Sequence, residues 1–401
     1  MMNATPHSDQ WSEKLRKSLY FVLCLMAGVC TLSGCIEEYE ADLPSDDTNL
    51  LVVEGAICSS QWNTFILSRT QPINASNTPR MVSGASVSVR GSDGSEYVLQ
   101  EADGYYTCWI DALQPDVDYC VHIETDGEVY ESDPQKPMRT ESIAEVNVVQ
   151  ETPESAIDVL VTPDAPFTTD KPTYYSWTFD ETWEVRPDYI TYYYFDTKKM
   201  APVYDPNQFP RRGWKDAKGT TILVGSSLNY EAHHIRKLKV YDIDRSSERM
   251  YYRYSGQVHQ RAISKAEYEY ELARRQASSE MGGLFTPLPS ALPTNIHCLS
   301  SDKRVIGYVG CSLNTSIYRF FLDPNDYAIN RPKYQDARRW LEDCNESDCL
   351  RMVEEEHMFL CEWEDYRDRP DGKLRTAWAY KFQLDVRARG AYTEMPDYWE
   401  E

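Results

Sequence analysis

The chain has 401 residues, with 64 acidic against 41 basic side chains and a net charge of −23 at pH 7. That balance argues against nucleic acid and against a second, electrostatic contact with an anionic membrane, both of which need clustered positive charge. Its 29 tyrosines and 10 tryptophans suit β cores and recognition surfaces alike.

The amino terminus carries Lys14, Arg16 and Lys17, then an apolar run over 19–29 and the sequence Leu32-Ser33-Gly34-Cys35. This is the layout of a secretory signal, too short to span a bilayer comfortably. Its ending resembles the bacterial lipoprotein box, which implies cleavage before Cys35 and a diacylglycerol on the Cys35 thiol. Acyl chains hold a protein on a leaflet at about 0.8 kcal/mol per buried CH₂. Residues 35–48 follow as an acidic tether that cannot pack, and it resembles the export signal of surface lipoproteins in Bacteroidota. No later segment offers eighteen consecutive apolar residues, so the rest is expected to be soluble.

From residue 49 short alternating segments are broken by turn residues, and the spacing predicts a mainly β protein. Strands are expected at 50–55, 64–70, 85–90, 96–99, 105–106, 119–123 and 128–130, with turns at Ser92-Asp93-Gly94, Asp103-Gly104 and Asp126-Gly127. They fit one small β-sandwich over 49–140. A second is expected over 141–325, from strands at 156–161, 174–179, 191–195, 251–260, 305–311 and 317–321, with a polar insertion up to residue 219. Immunoglobulin- or fibronectin-like sandwiches with one inserted α-helix are the fold class these patterns favour. Ser264 and Glu267 predict a capping box for that helix over 264–281, stopped by Gly282-Gly283. Residues 326–401 read as an acidic, cysteine-bearing C-terminal region, with a last strand near 378–386.

Eleven cysteines are present, eight of them beyond Cys35. An even number in an oxidising compartment permits up to four disulfides, and spacing does not give the connectivity. Cys108–Cys120 and Cys298–Cys311 are the favoured local pairs. Zinc is the weaker rival at Cys344, Cys349, His357 and Cys361, because that spacing is loose. His233-His234 face opposite ways on an extended chain, and Glu354-Glu355-Glu356-His357 reads as a solvated charge run. No metal or cofactor is expected. Nucleophile elbows, phosphate loops and zinc-protease helices are absent from the sequence. The aromatic cluster of Trp183, Tyr189, Tyr192, Tyr193 and Tyr194 is the candidate recognition surface.

The chain carries Leu51-Val52-Val53-Glu54-Gly55, Tyr174-Tyr175-Ser176-Trp177, Gln260, Ser264-Lys265-Ala266-Glu267-Tyr268, Gly282-Gly283-Leu284-Phe285, Asn295-Ile296 and Gly307-Tyr308-Val309-Gly310 in that order. Together these segments resemble the domain-of-unknown-function 4249 family of Bacteroidota outer-membrane lipoproteins. The resemblance implies a lipid-anchored outer-membrane protein, exposed on the cell surface and often encoded beside a TonB-dependent transporter. It transfers no catalytic residues. The expectation is a non-enzymatic partner in nutrient uptake that docks a transporter or binds a glycan or peptide. The alternatives are a glycan or peptide hydrolase on a β scaffold and a structural or adhesive module. Two close carboxylates in a pocket would favour the hydrolase.

Overall fold

The structure is a computed structural model that describes residues 49–71, 78–168, 170–277, 292–332, 335–368, 370 and 372–400. The signal, Cys35, the tether and Gly282-Gly283-Leu284-Phe285 lie outside the described residues.

Asp103-Gly104 and Asp126-Gly127 each place two successive residues in the left-handed region, at φ 52° and 80° and at φ 53° and 76°. Such two-residue turns match the twist of paired strands, so each closes a hairpin. Around them two sheets face one another. One has six strands, among them Leu51–Glu54, Gln61–Arg69 and Tyr105–Ile110; the other has five, including Ser86–Gly91, Tyr119–Thr125 and Glu128–Ser132. Inward residues of both, such as Val53, Phe65, Leu67, Val89, Val121 and Ile123, share one buried cluster. Each such side chain contributes about 1.5–3 kcal/mol on burial.

The first sandwich is completed from far along the chain. Val305–Gly307 pairs in parallel with Leu51–Glu54, Gly310–Ser312 in parallel with Ala56–Cys58, and Ile296–Cys298 antiparallel with Glu128–Ser132. The boundary expected at residue 140 therefore does not hold, and the strand expected over 305–311 belongs to the first sandwich. The returning strands cover edges that would otherwise expose unpaired backbone groups. Gly307 takes φ 142°, and a Cβ there would sit 2.2 Å from the Val53 carbonyl oxygen. Only glycine fits.

In the second sandwich a three-stranded sheet of Ile143–Val149, Ile157–Pro163 and Leu238–Ile243 faces a five-stranded sheet centred on Tyr174–Val185. Tyr254–Ile263 pairs along one side of that central strand, and Gly213–Lys218 with Leu223–Ser226 along the other. Trp177 is 2% exposed. Its indole N–H donates to Gln260 Oε1 at 3.0 Å, and Gln260 Nε2 donates to the Glu141 carbonyl at 2.8 Å. Trp177 is thus the core tryptophan that the alternating strand predicts.

Helix α1 (Lys265–Ala277) follows directly. Ser264 Oγ accepts the Glu267 amide N–H at 3.1 Å, which is half of the expected capping box. The other half is missing because the Glu267 carboxylate turns to Arg261.

The C-terminal region is more ordered than its polarity suggests. Arg339–Glu342, Leu374–Tyr380 and Met358–Asp365 form a separate three-stranded sheet, with α2 (Glu346–Glu354) over one face. Cys349, Met352, Leu360 and Trp378 fill that layer, and Phe195 joins them from the strand expected at 191–195, found at Tyr193–Asp196 and paired with Ala201–Tyr204. Ala377, Ala379 and Cys361 pack on the opposite face with Tyr189 and Leu384. The last strand ends at Tyr380, where the short α3 (Lys381–Leu384) begins. No helix of the described residues is long and apolar enough to cross a membrane.

Candidate functional site

Trp62 and Trp109 are cross-strand partners on the outer face of the six-stranded sheet. Their neighbours Asn63, Phe65 and Ile110 point inward, so strand alternation forces both indoles out. They are 68% and 48% exposed and meet edge-on, with ring centroids 6.0 Å apart. Trp109 Nε1 donates to Asp111 Oδ1 at 3.0 Å, which fixes its orientation. A single edge-on partner covers at most one face of a ring, so each indole keeps a face clear of the other. Tyr105, paired with Ile66 on the same side, is also exposed.

The cluster expected to form a recognition surface divides. Trp183 and Tyr189 are buried in two different cores, and neither can stack on a ligand. Tyr193 and Tyr194 are half-buried. Tyr192 is exposed, but Tyr204 stacks against it at 6.4 Å and the Arg211 guanidinium lies 5.0 Å from its ring centroid. The outward aromatics of the first sandwich were missed because the strand expected at 64–70 begins two residues past Trp62.

Between the sandwiches lies a polar cleft of about 370 Å³. Its floor is an ion pair: Arg261 Nη2 donates to Glu267 Oε1, and Nη1 to Oε2 at 3.3 Å, with Glu267 only 5% exposed. Burial is the largest influence and works against the Arg261 charge, yet Glu267, Cys58 and Glu271 together outweigh it and raise the guanidinium pKa. A Cβ on Gly310 would fall 2.0 Å from Glu267 Oε2, so the absence of a side chain at 310 makes room for the pair. One turn on, Glu271 accepts from Arg274 Nε at 2.9 Å, and Arg274 also faces Glu54 at 3.8 Å. Burial raises the Glu271 carboxyl pKa; Arg274 opposes this and Glu267 adds to it. Tyr270, pushed up to about 12 by burial, packs 5.7 Å from Tyr308. Helix α1 therefore turns Glu267, Tyr270, Glu271 and Arg274, at helical spacing, toward the cleft, while Tyr268 packs against Tyr174.

A larger cavity of about 660 Å³ opens within the second sandwich beside the stacked Phe179 and Tyr241 rings. Both acids lining it are engaged: Arg249 Nη1 donates to Glu181 at 2.8 and 3.0 Å and Tyr254 OH at 2.8 Å, and Asp242 pairs with Lys239 at 2.9 Å.

The favoured disulfide pairs do not form. Cys108 points into the core of the first sandwich, whereas Cys120 lies on the opposite sheet between the inward Tyr119 and Val121 and so faces outward. Cys298 and Cys311 sit in different sheets, on Ile296–Cys298 and Gly310–Ser312. All eight described cysteines are free thiols. His357 is exposed and Cys361 lies across the sheet from Cys349, so the zinc set is not assembled. His233 and His234 approach separate carbonyls, of Ser227 and Pro163. No group of three metal-binding side chains converges among the described residues.

Val53, Gly55, Ser176, Gln260, Glu267 and Tyr308 all line the cleft. Five of the segments in which the chain resembles a family thus converge on one place. The sequence profile described as Domain of unknown function (DUF4249) matches residues 36–317. The chain belongs to the DUF4249 family. The matched span holds the cleft and both sandwiches except most of the Ser316–Leu322 strand, while the C-terminal sheet with α2 lies beyond it. No curated protein matches the chain. Among solved structures, a crystal structure of a Salmonella alpha-2-macroglobulin mutant is similar over 57% of this chain, at 14% identity and a TM-score of 0.17. The chain spans 14% of that protein's length, and a likeness at this level carries no argument.

Proposed function

We propose that this DUF4249 protein is a lipid-anchored, non-enzymatic accessory of a TonB-dependent nutrient transporter, working at the outer-membrane surface. The observation that carries the reading is the exposed Trp62–Trp109 pair on a rigid sheet. Aromatic rings on a β surface offer large contact area with little side-chain entropy to lose, and such groups anchor interfaces and stack on ligands. The acyl chain expected on Cys35 raises the effective concentration of this face near a membrane-embedded partner. The family resemblance supplies the class of partner. Capture of the anchored protein from detergent-solubilised outer membrane tests the proposal: a transporter β-barrel is expected to come with it, and recovery without one contradicts it.

One observation favours hydrolysis of a glycan or peptide in the cleft as a second reading. Glu271 is a carboxyl of raised pKa near a second carboxylate and two tyrosines, a combination found at acid–base sites. The docking reading is preferred because Glu267 and Glu271 are each held by an arginine, and Glu267 is nearly enclosed. Loss of glycan or peptide cleavage in Glu271→Gln would establish the second reading, and an inactive wild type would end it.

A further inference from the structure

The entry to α2 reads Cys344-Asn345-Glu346-Ser347-Asp348-Cys349. Asn345 Oδ1 accepts the amide N–H groups of Ser347 and Asp348 at 2.9 and 3.1 Å, and the Asp348 carboxylate accepts the Asn345 amide at 3.1 Å. That reciprocal cap fixes the register of the first turn. Cys344 is then the residue before the cap and Cys349 the fourth of the helix, two positions whose side chains meet across the turn. Both are buried in the cluster between α2 and the C-terminal sheet. Cys344 and Cys349 thus sit at the two ends of one turn and share one buried cluster. Cys344 Sγ is held from the other side by the Thr376 hydroxyl at 3.5 Å and the Leu374 carbonyl at 3.8 Å. Its freedom to turn away is small.

We propose that Cys344 and Cys349 form a disulfide that staples the first turn of α2 to the C-terminal sheet layer. The inference is independent of the docking reading, since it concerns two thiols of this chain and an external disulfide. Cys344 is the more accessible of the two, and burial followed by the neighbouring thiol pushes Cys349 up to about 12, so reaction begins at Cys344. The Cys344 thiolate attacks one sulfur of a small-molecule disulfide such as oxidised glutathione. That S–S bond breaks, and the released glutathione thiolate takes up the proton that Cys344 lost. The Cys349 thiolate then attacks the Cys344 sulfur of the mixed disulfide and displaces the second glutathione, which takes the Cys349 proton. Two protein thiols are oxidised and one external disulfide is reduced.

The test is made on the full chain, incubated with oxidised glutathione, unfolded, alkylated without reductant and digested with trypsin. Cleavage after Arg339 and Arg351 leaves both cysteines on one peptide. The expected product is that peptide lighter by two hydrogens and without alkyl groups. Recovery with both cysteines alkylated, or with either one bonded to another cysteine or retaining glutathione, overturns the proposal. Thermal unfolding supplies a second readout. Reductant is expected to lower the midpoint of the oxidised wild type and to leave Cys349→Ser unmoved; an equal drop in both overturns the assignment.

Discussion

The buried Arg261–Glu267 pair makes the sharpest residue-level prediction. Removing one partner of such a pair strands the other charge out of water, which costs about 3–5 kcal/mol. Glu267→Gln is expected to lose stability of that order in chemical denaturation. Glu271 behaves differently, because its folded-state pKa is raised above its unfolded one. The fold then disfavours the ionised form. Stability from the protonated form is present below the ordinary carboxylate range and is lost as pH rises toward the raised value. The stability of Glu271→Gln relative to wild type should therefore climb as pH increases from about 4 to 7, and a flat difference contradicts the burial argument. Sequence alone hid both residues. Glu267 read as half of a cap, and charges at helical spacing read as a solvated face. Trp177 was legible by contrast, since large aromatics at alternate positions of a strand have few places to go but the core.

At the scale of elements, local chemistry was readable and long-range pairing was not. Asp-Gly at 103–104 and 126–127 states its turn type outright, and the hairpins follow. Nothing in Val305–Gly307 indicates a parallel partner some 250 residues earlier, because parallel pairing imposes no local turn signal. A fragment covering only 49–140 should therefore fail to fold cooperatively, lacking the strands at 296–312. Amide exchange on that fragment should show no protected Leu51–Glu54 strand, and full protection there would refute the shared architecture. The tail illustrates a related blind spot. Its apolar residues are few but large: Leu360 and Trp378 pair across the sheet, and Met352 from α2 and Phe195 from the Tyr193–Asp196 strand pack with them.

Across the whole molecule, the chain presents an acidic body, a charged cleft already satisfied within the fold, and an exposed tryptophan pair on the first sandwich. Exposed substitutions away from caps and cores usually change stability by no more than about 0.5 kcal/mol. Loss of the edge-on ring pair adds about 0.5–1.5 kcal/mol. Trp62→Ala with Trp109→Ala should thus leave a folded protein with a modestly lower melting midpoint, so any effect on association can be assigned to the surface. The decisive measurement is transporter co-purification by the anchored wild type and by this double variant, at matched expression. A β-barrel partner is expected with the wild type and is expected to be lost, or reduced about tenfold or more for a hot-spot pair, with the variant. Equal recovery with both proteins would rule out docking through the tryptophan pair.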